Sequence, residues 1–128
     1  MRKILNFGHT FAHAFEASMG FSKKLNHGEA VLLGIITALK FSNKRGLIKK
    51  NELKLIINHY LKNDLHLSIR KFFGYKDLNK ILSFMTKDKK NVSKKINLIL
   101  LKKIGSPIIN QTFDQNTIKT FLAKELVN

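Results

Sequence analysis

Residues 28–45 contain the run EAVLLGIITALKF, and no other stretch constrains the fold so tightly. Read as a helix, this run carries apolar side chains on every side, so it cannot lie on a surface with one face in water. It must sit at the centre of the molecule with other elements packed around it. Gly46, just past its end, is a natural C-terminal stop. The chain has 128 residues, enough for one domain with a real core, and its 44% hydrophobic content is ordinary. One proline, no Gly/Ser-rich linker and no internal repeat argue for a single domain over residues 1–128.

Helical periodicity dominates the rest. Residues 7–19 read as a first helix ending near Gly20. Asn51 is placed to cap a third, with Leu53, Ile56, Ile57, Tyr60 and Leu61 at amphipathic spacing. Leu78, Ile81, Leu82 and Met85 mark another, followed by KDKKN, and a last helix begins near Asp114 with Ile118, Phe121, Leu122 and Leu126 on one face. Between these two, KINLILLKKIGSPIIN breaks the pattern. It is β-branched and apolar, holds Gly105-Ser106-Pro107, and reads as two short strands. A lone hairpin is marginal in water, so it must lie on the helices or pair outside the chain. The expected fold is mainly α, a helical bundle with one small β-hairpin.

Charge raises a different question. Lys+Arg 24 against Asp+Glu 8 gives +16, which predicts attraction to nucleic acid, a membrane surface or a small acidic substrate. The lysines are scattered in short pairs, and Asn and Ile are abundant too, so a mostly solvated, compositionally biased surface is the favoured reading; with no aromatic interleaving and no helix with a consistent basic face, specific nucleic-acid binding is not expected. There is no cysteine, hence no disulfide framework and no thiolate metal site. No signal-peptide pattern is visible, and no apolar run approaches the roughly 18 residues of a membrane helix. A soluble, cytoplasmic protein without membrane partners is the expectation.

Against this background RKILNFGHTFAHAFE, residues 2–16, stands out. His9 and His13 are four apart and share a helix face, a spacing metals use but one that is common by chance. His27, in NHGEAVLLG at the entry to the central helix, can face back towards the first one; its bland alternative is a capping or solvent-facing residue, and Glu29 can simply favour the helix N-terminus. His59 and His66 stand apart from this cluster. Arg2 and Asn6 extend the stripe of His9 and His13 backwards. Arginine offers a planar fork for a carboxylate, asparagine a donor and an acceptor, and histidine a metal ligand or proton carrier. The stripe is either a solvent face or the wall of a cleft.

RKILNFGHTFAHAFE, HGEAVLLG, DKKN and INLILLKKIG resemble, in order and spacing, the C-terminal half of 3-dehydroquinate synthase. The resemblance covers nearly the whole chain and implies an enzyme of the shikimate pathway. That enzyme binds NAD and one Zn²⁺ (or Co²⁺) between two domains and turns 3-deoxy-D-arabino-heptulosonate 7-phosphate into 3-dehydroquinate plus phosphate. It implies that His9 and His27 are zinc-binding histidines, in place of the His9–His13 pair that spacing alone would favour. It also implies that His13 acts on the substrate side near the phosphate and the proton transfers, that Arg2 holds the substrate carboxylate and that Asn6 hydrogen-bonds the substrate. Lys89, with Lys90 as the other register, neutralises the phosphate. A homodimer is implied for the complete enzyme.

Two departures qualify the resemblance. The family usually has glycine where this chain has Ala12, a change expected to be tolerated. The family's nucleotide-binding half, with its third zinc ligand, has no counterpart here, and no strand–glycine-loop–helix fingerprint for NAD is present. The expectation is a fragment, split-gene product or remnant that is inactive without an N-terminal NAD-binding half, with Phe7 and Phe11 exposed on the face that half would cover. The rival readings are a related sugar-phosphate cyclase, a more distant metal-dependent alcohol dehydrogenase, a basic helical nucleic-acid module and a degenerate non-catalytic module.

Overall fold

The structure, a computed structural model, describes residues 7–20, 25–60, 69–86, 95–103 and 106–127. Among them lie five helices and a two-stranded antiparallel sheet: α1 (His9–Ser18), α2 (His27–Lys44), α3 (Lys50–Tyr60), α4 (Leu78–Met85), β1 (Lys95–Lys103), β2 (Ser106–Asp114) and α5 (Gln115–Val127). Short 3₁₀ turns at Ile69–Lys71 and Tyr75–Asp77 lead into α4. The mainly helical bundle with one hairpin is therefore what the chain forms.

The central position expected for α2 is observed. From Leu33 to Ser42 its buried residues come round every side of the helix. α1 lies on α2 and on α4, β1 crosses α2, and α5 contacts α4 and both strands. The hydroxyls of Thr37 and Ser42, fully within this core, are satisfied by donating to the carbonyls of Leu33 (2.7 Å) and Ala38 (2.9 Å) one turn back. Aromatic rings fill the space between the layers. Phe41 of α2 meets Phe113 and Phe121 edge-on at 5.0 Å, and Phe11 of α1 packs on Phe15 at 6.1 Å and Phe121 at 6.4 Å.

The hairpin lies on the helices, the first of the two alternatives. Its strands run nine residues each, longer than the short strands expected, and β2 continues through Asp114, so the last helix starts at Gln115. The ladder is irregular between Leu98 and Leu100 and between Leu101 and Lys103. At the second break the Leu101 N–H donates to Ser42 Oγ (3.0 Å). The central helix thus supplies the acceptor that the ladder lacks there.

Two expectations change. Asn51 does not cap α3; the helix begins one residue earlier, Lys49 O accepts from Leu53 N, and Asn51 Oδ1 accepts from the adjacent Glu52 N. Leu61 lies outside the described residues, as does the side chain of Tyr60. Phe7 and Phe11 are buried, at 8% and 0% exposure, not exposed. Phe11 is covered by this chain's own α5 through Phe121, so no outside domain is needed to bury it.

Candidate metal and substrate face

α1 begins at Gly8, whose φ of 78° is a left-handed conformation that costs glycine little. Gly8 is buried against the middle of α2: a Cβ there would meet the backbone of Gly34 and Ile35 at 2.7 Å. Gly34 faces it in return, and its own Cβ would lie 2.5 Å from Gly8 O and 2.7 Å from Ala12 N and Cβ. The backbones of α1 and α2 therefore touch at this crossing. Ala12 is 6% exposed, and its methyl occupies space that Gly34 leaves open.

From that crossing the two helices run antiparallel, because Gly8 lies by Gly34 while Glu16 reaches His27. His9, His13 and Glu16 fall at positions i, i+4 and i+7 of α1 and share one face. His9 and His13 are exposed, with ring centroids 6.4 Å apart and planes inclined by 40°. At the far end of the face His27 Nδ1 is 3.2 and 3.3 Å from the two carboxylate oxygens of Glu16. Glu16 lies about 10 Å along the helix from His9, two turns at 1.5 Å per residue.

His27 occupies its place because of the turn before it. Asn26 caps α2, accepting from Glu29 N (2.8 Å), while the Glu29 carboxylate accepts from Asn26 N (3.1 Å). This reciprocal box sets His27 as the first residue of the helix. Glu29 has the helix-terminus role that was its bland reading, and its carboxylate is occupied there. The sequence reading missed both the cap at Asn26 and the contact of Glu16. The cap had a signal, since Asn-x-x-Glu ahead of an apolar run is a start pattern. Glu16 had only its i+7 offset from His9.

The structure thus brings His13, Glu16 and His27 onto the side of the helix pair that carries His9. It arranges them as a row: among the described residues no three His, Cys, Asp or Glu side chains converge as a metal cage. Imidazole nitrogens are suitable donors for Zn²⁺ or Co²⁺, and the edge of His27 away from Glu16 is available, so these residues fit a divalent cation as part of a ligand set. Arg2, Asn6, Lys89, Lys90 and His66 lie outside the described residues, and so does the side chain of His59. Elsewhere, Lys44, Arg45 and Lys124 line a cleft with Thr117 and Thr120. Lys44 and Arg45 sit at the C-terminal end of α2, where cations complement the helix dipole. Among the described residues no helix is long and apolar enough to cross a membrane.

Comparison with known proteins gives three findings. Residues 1–91 match the model of a family described as 3-dehydroquinate synthase C-terminal. The 3-dehydroquinate synthase of Pelagibacter ubique is 59% identical over 128 residues, covering 98% of this chain and 34% of that protein; that of Rhodopseudomonas palustris strain BisB18 is 33% identical over 132 residues and 35% of its length. The chain spans about a third of the length of the curated relatives it matches. Among solved structures, a 2-deoxy-scyllo-inosose synthase complexed with carbaglucose-6-phosphate, NAD⁺ and Co²⁺ shares the fold. Its TM-score is 0.67 at 22% identity, over 93% of this chain and 34% of that one.

Proposed function

The chain belongs to the 3-dehydroquinate synthase C-terminal family, and from that premise we propose that it forms the metal- and substrate-binding wall of a 3-dehydroquinate synthase. The reaction converts 3-deoxy-D-arabino-heptulosonate 7-phosphate to 3-dehydroquinate and phosphate. The observation that carries this reading is the α1 face itself. His9, His13 and Glu16 share it, and Glu16 engages His27 across the helix pair.

In this reading His9 and His27 are two ligands of one Zn²⁺ (or Co²⁺), and the remaining protein ligand and the NAD site come from an N-terminal half. A divalent metal held there would supply Lewis-acid polarisation of a substrate hydroxyl, and NAD bound by the other half would supply reversible hydride transfer. The chain's own residues handle the acidic ends of the substrate. Arg2 grips the carboxylate with its planar fork, and Asn6 hydrogen-bonds the substrate. Lys89 neutralises the phosphate that leaves. His13, exposed one turn from His9, moves a proton on the substrate side. The +16 charge suits so anionic a substrate. The complete enzyme works in the cytoplasm as a homodimer.

The test is a chimera in which this chain replaces the corresponding third of the Pelagibacter ubique enzyme, assayed for phosphate release. The expected result is turnover that needs NAD and Zn²⁺ and falls by about 10²-fold or more in His9→Ala and His27→Ala, since each loses a metal ligand. A folded chimera that ignores this substrate but releases phosphate from another sugar phosphate would assign the chain to a related cyclase. Undiminished turnover in both histidine variants would overturn the metal assignment.

A further inference from the structure

The contact between Glu16 and His27 carries chemical information beyond tying two helices together. An ionised carboxylate only accepts hydrogen bonds, and both Glu16 oxygens lie within 3.3 Å of His27 Nδ1, so the proton of this contact belongs to Nδ1. In a neutral ring the lone pair is then on Nε2, at the opposite edge. The exposures are unequal: the His27 side chain is 78% exposed and that of Glu16 only 18%. Glu16 is the anchored member, fixed on α1, while His27 projects outward. The other nearby acid, Glu29, is committed to Asn26 N and does not compete.

We propose that Glu16 is a positioning residue that holds His27 in its Nδ1–H form and sets the ring's direction, so that Nε2 is the nitrogen offered to a divalent cation. The proposal rests on the metal reading above. It adds an atom-level assignment and a residue that acts only through His27. Carboxylates that accept from the far nitrogen of a metal-binding histidine fix its tautomer and raise its basicity, and their loss lowers metal affinity about 10–100-fold.

The experiment uses the full chain, labelled with ¹⁵N, at about pH 8.5, where an ordinary imidazole is neutral. Long-range ¹H–¹⁵N spectra report which ring nitrogen of each histidine is protonated. The expected result for His27 is a protonated Nδ1 and a bare Nε2, retained in Glu16→Gln, whose amide oxygen still accepts, and lost in Glu16→Ala. Titration with Co²⁺ alone then perturbs His27 Nε2, and Glu16→Ala binds about 10–100-fold more weakly, with Glu16→Gln between it and the parent. In a His27→Ala background, removing Glu16 has no further effect. A protonated Nε2 in the parent chain, with Co²⁺ still bound at His27, overturns the positioning role and spares the metal reading. The expected tautomer with Nε2 untouched by Co²⁺ overturns the metal reading, and the role in presenting Nε2 falls with it. An equal loss on removing Glu16 with and without His27 makes Glu16 a ligand itself and overturns the proposal.

Discussion

Gly34→Ala is the substitution that most directly tests how α1 and α2 are joined. The new methyl would lie 2.5 Å from Gly8 O and 2.7 Å from Ala12 N and Cβ, where non-bonded carbon normally keeps about 3.5 Å. Two of those three atoms are backbone, so no side-chain rotation relieves them, and the helices must separate by close to 1 Å. Overpacking of this kind costs about 1–3 kcal/mol, and contact with backbone argues for the upper end. Alanine over glycine inside a helix returns about 1 kcal/mol. The net expectation is a loss of about 2 kcal/mol. For 128 residues at about 2.1 cal/mol/K each, that is a fall in Tm of about 7 °C. Urea and thermal unfolding followed by circular dichroism read it directly. Ala12→Gly in the same chain is not expected to rescue, because it removes one of the three contacts and leaves the two backbone ones. A double variant as stable as the parent would refute the backbone-contact argument. So would Gly34→Ala proving neutral or stabilising.

Two further substitutions probe what places the hairpin and the start of α2. Ser42→Ala leaves the Leu101 N–H without its acceptor at a break in the ladder, an expected loss of about 1–3 kcal/mol with faster amide exchange at Leu101; unchanged exchange there would show that the ladder satisfies itself. Asn26→Ala removes the cap of α2 and should cost about 1 kcal/mol in urea unfolding, with Asn26→Asp close to neutral; equal losses in both would mean that the side-chain oxygen is not what the helix uses.

What could be read from the chain was whatever depends on local repetition. The all-round apolar run gave α2 its central place, because burial is the only way to remove so much apolar surface from water. Leu78, Ile81, Leu82 and Met85 are buried as their spacing required, and β1 ends at Lys103 and β2 begins at Ser106, close to where the strands were expected to part. What could not be read was contact between distant segments. Phe11 was expected at an open face, yet it is covered by Phe121, and nothing in the spacing of α1 announces a helix 110 residues later. The pairing of Glu16 with His27 likewise depends on the crossing of two helices, which one sequence does not encode locally. Even at α3 the helix starts at Lys50, one residue before the capping candidate Asn51, whose side chain instead accepts from the adjacent Glu52 N.

The site and the core are connected through α1. One end of this helix is pinned where Gly8 and Gly34 bring two backbones into contact, and the other where Glu16 meets His27. A ten-residue helix held at both ends cannot rotate or slide without losing one of these contacts. Its inner face is locked as well, since Phe11 and Phe15 are fully buried. The face carrying His9 and His13 is therefore rigid in direction although both side chains are exposed. That is what the proposed metal reading would require of His9 and His27. A ligand set completed by another part of a protein gains affinity only if the residues already present do not have to be ordered as the metal arrives. In the proposed metal reading the small residues at the crossing would have a chemical role as well as a packing one. If His9 is a metal ligand as proposed, any change that loosens Gly8 from Gly34 should weaken binding of added Co²⁺, read by titration, without touching a ligand.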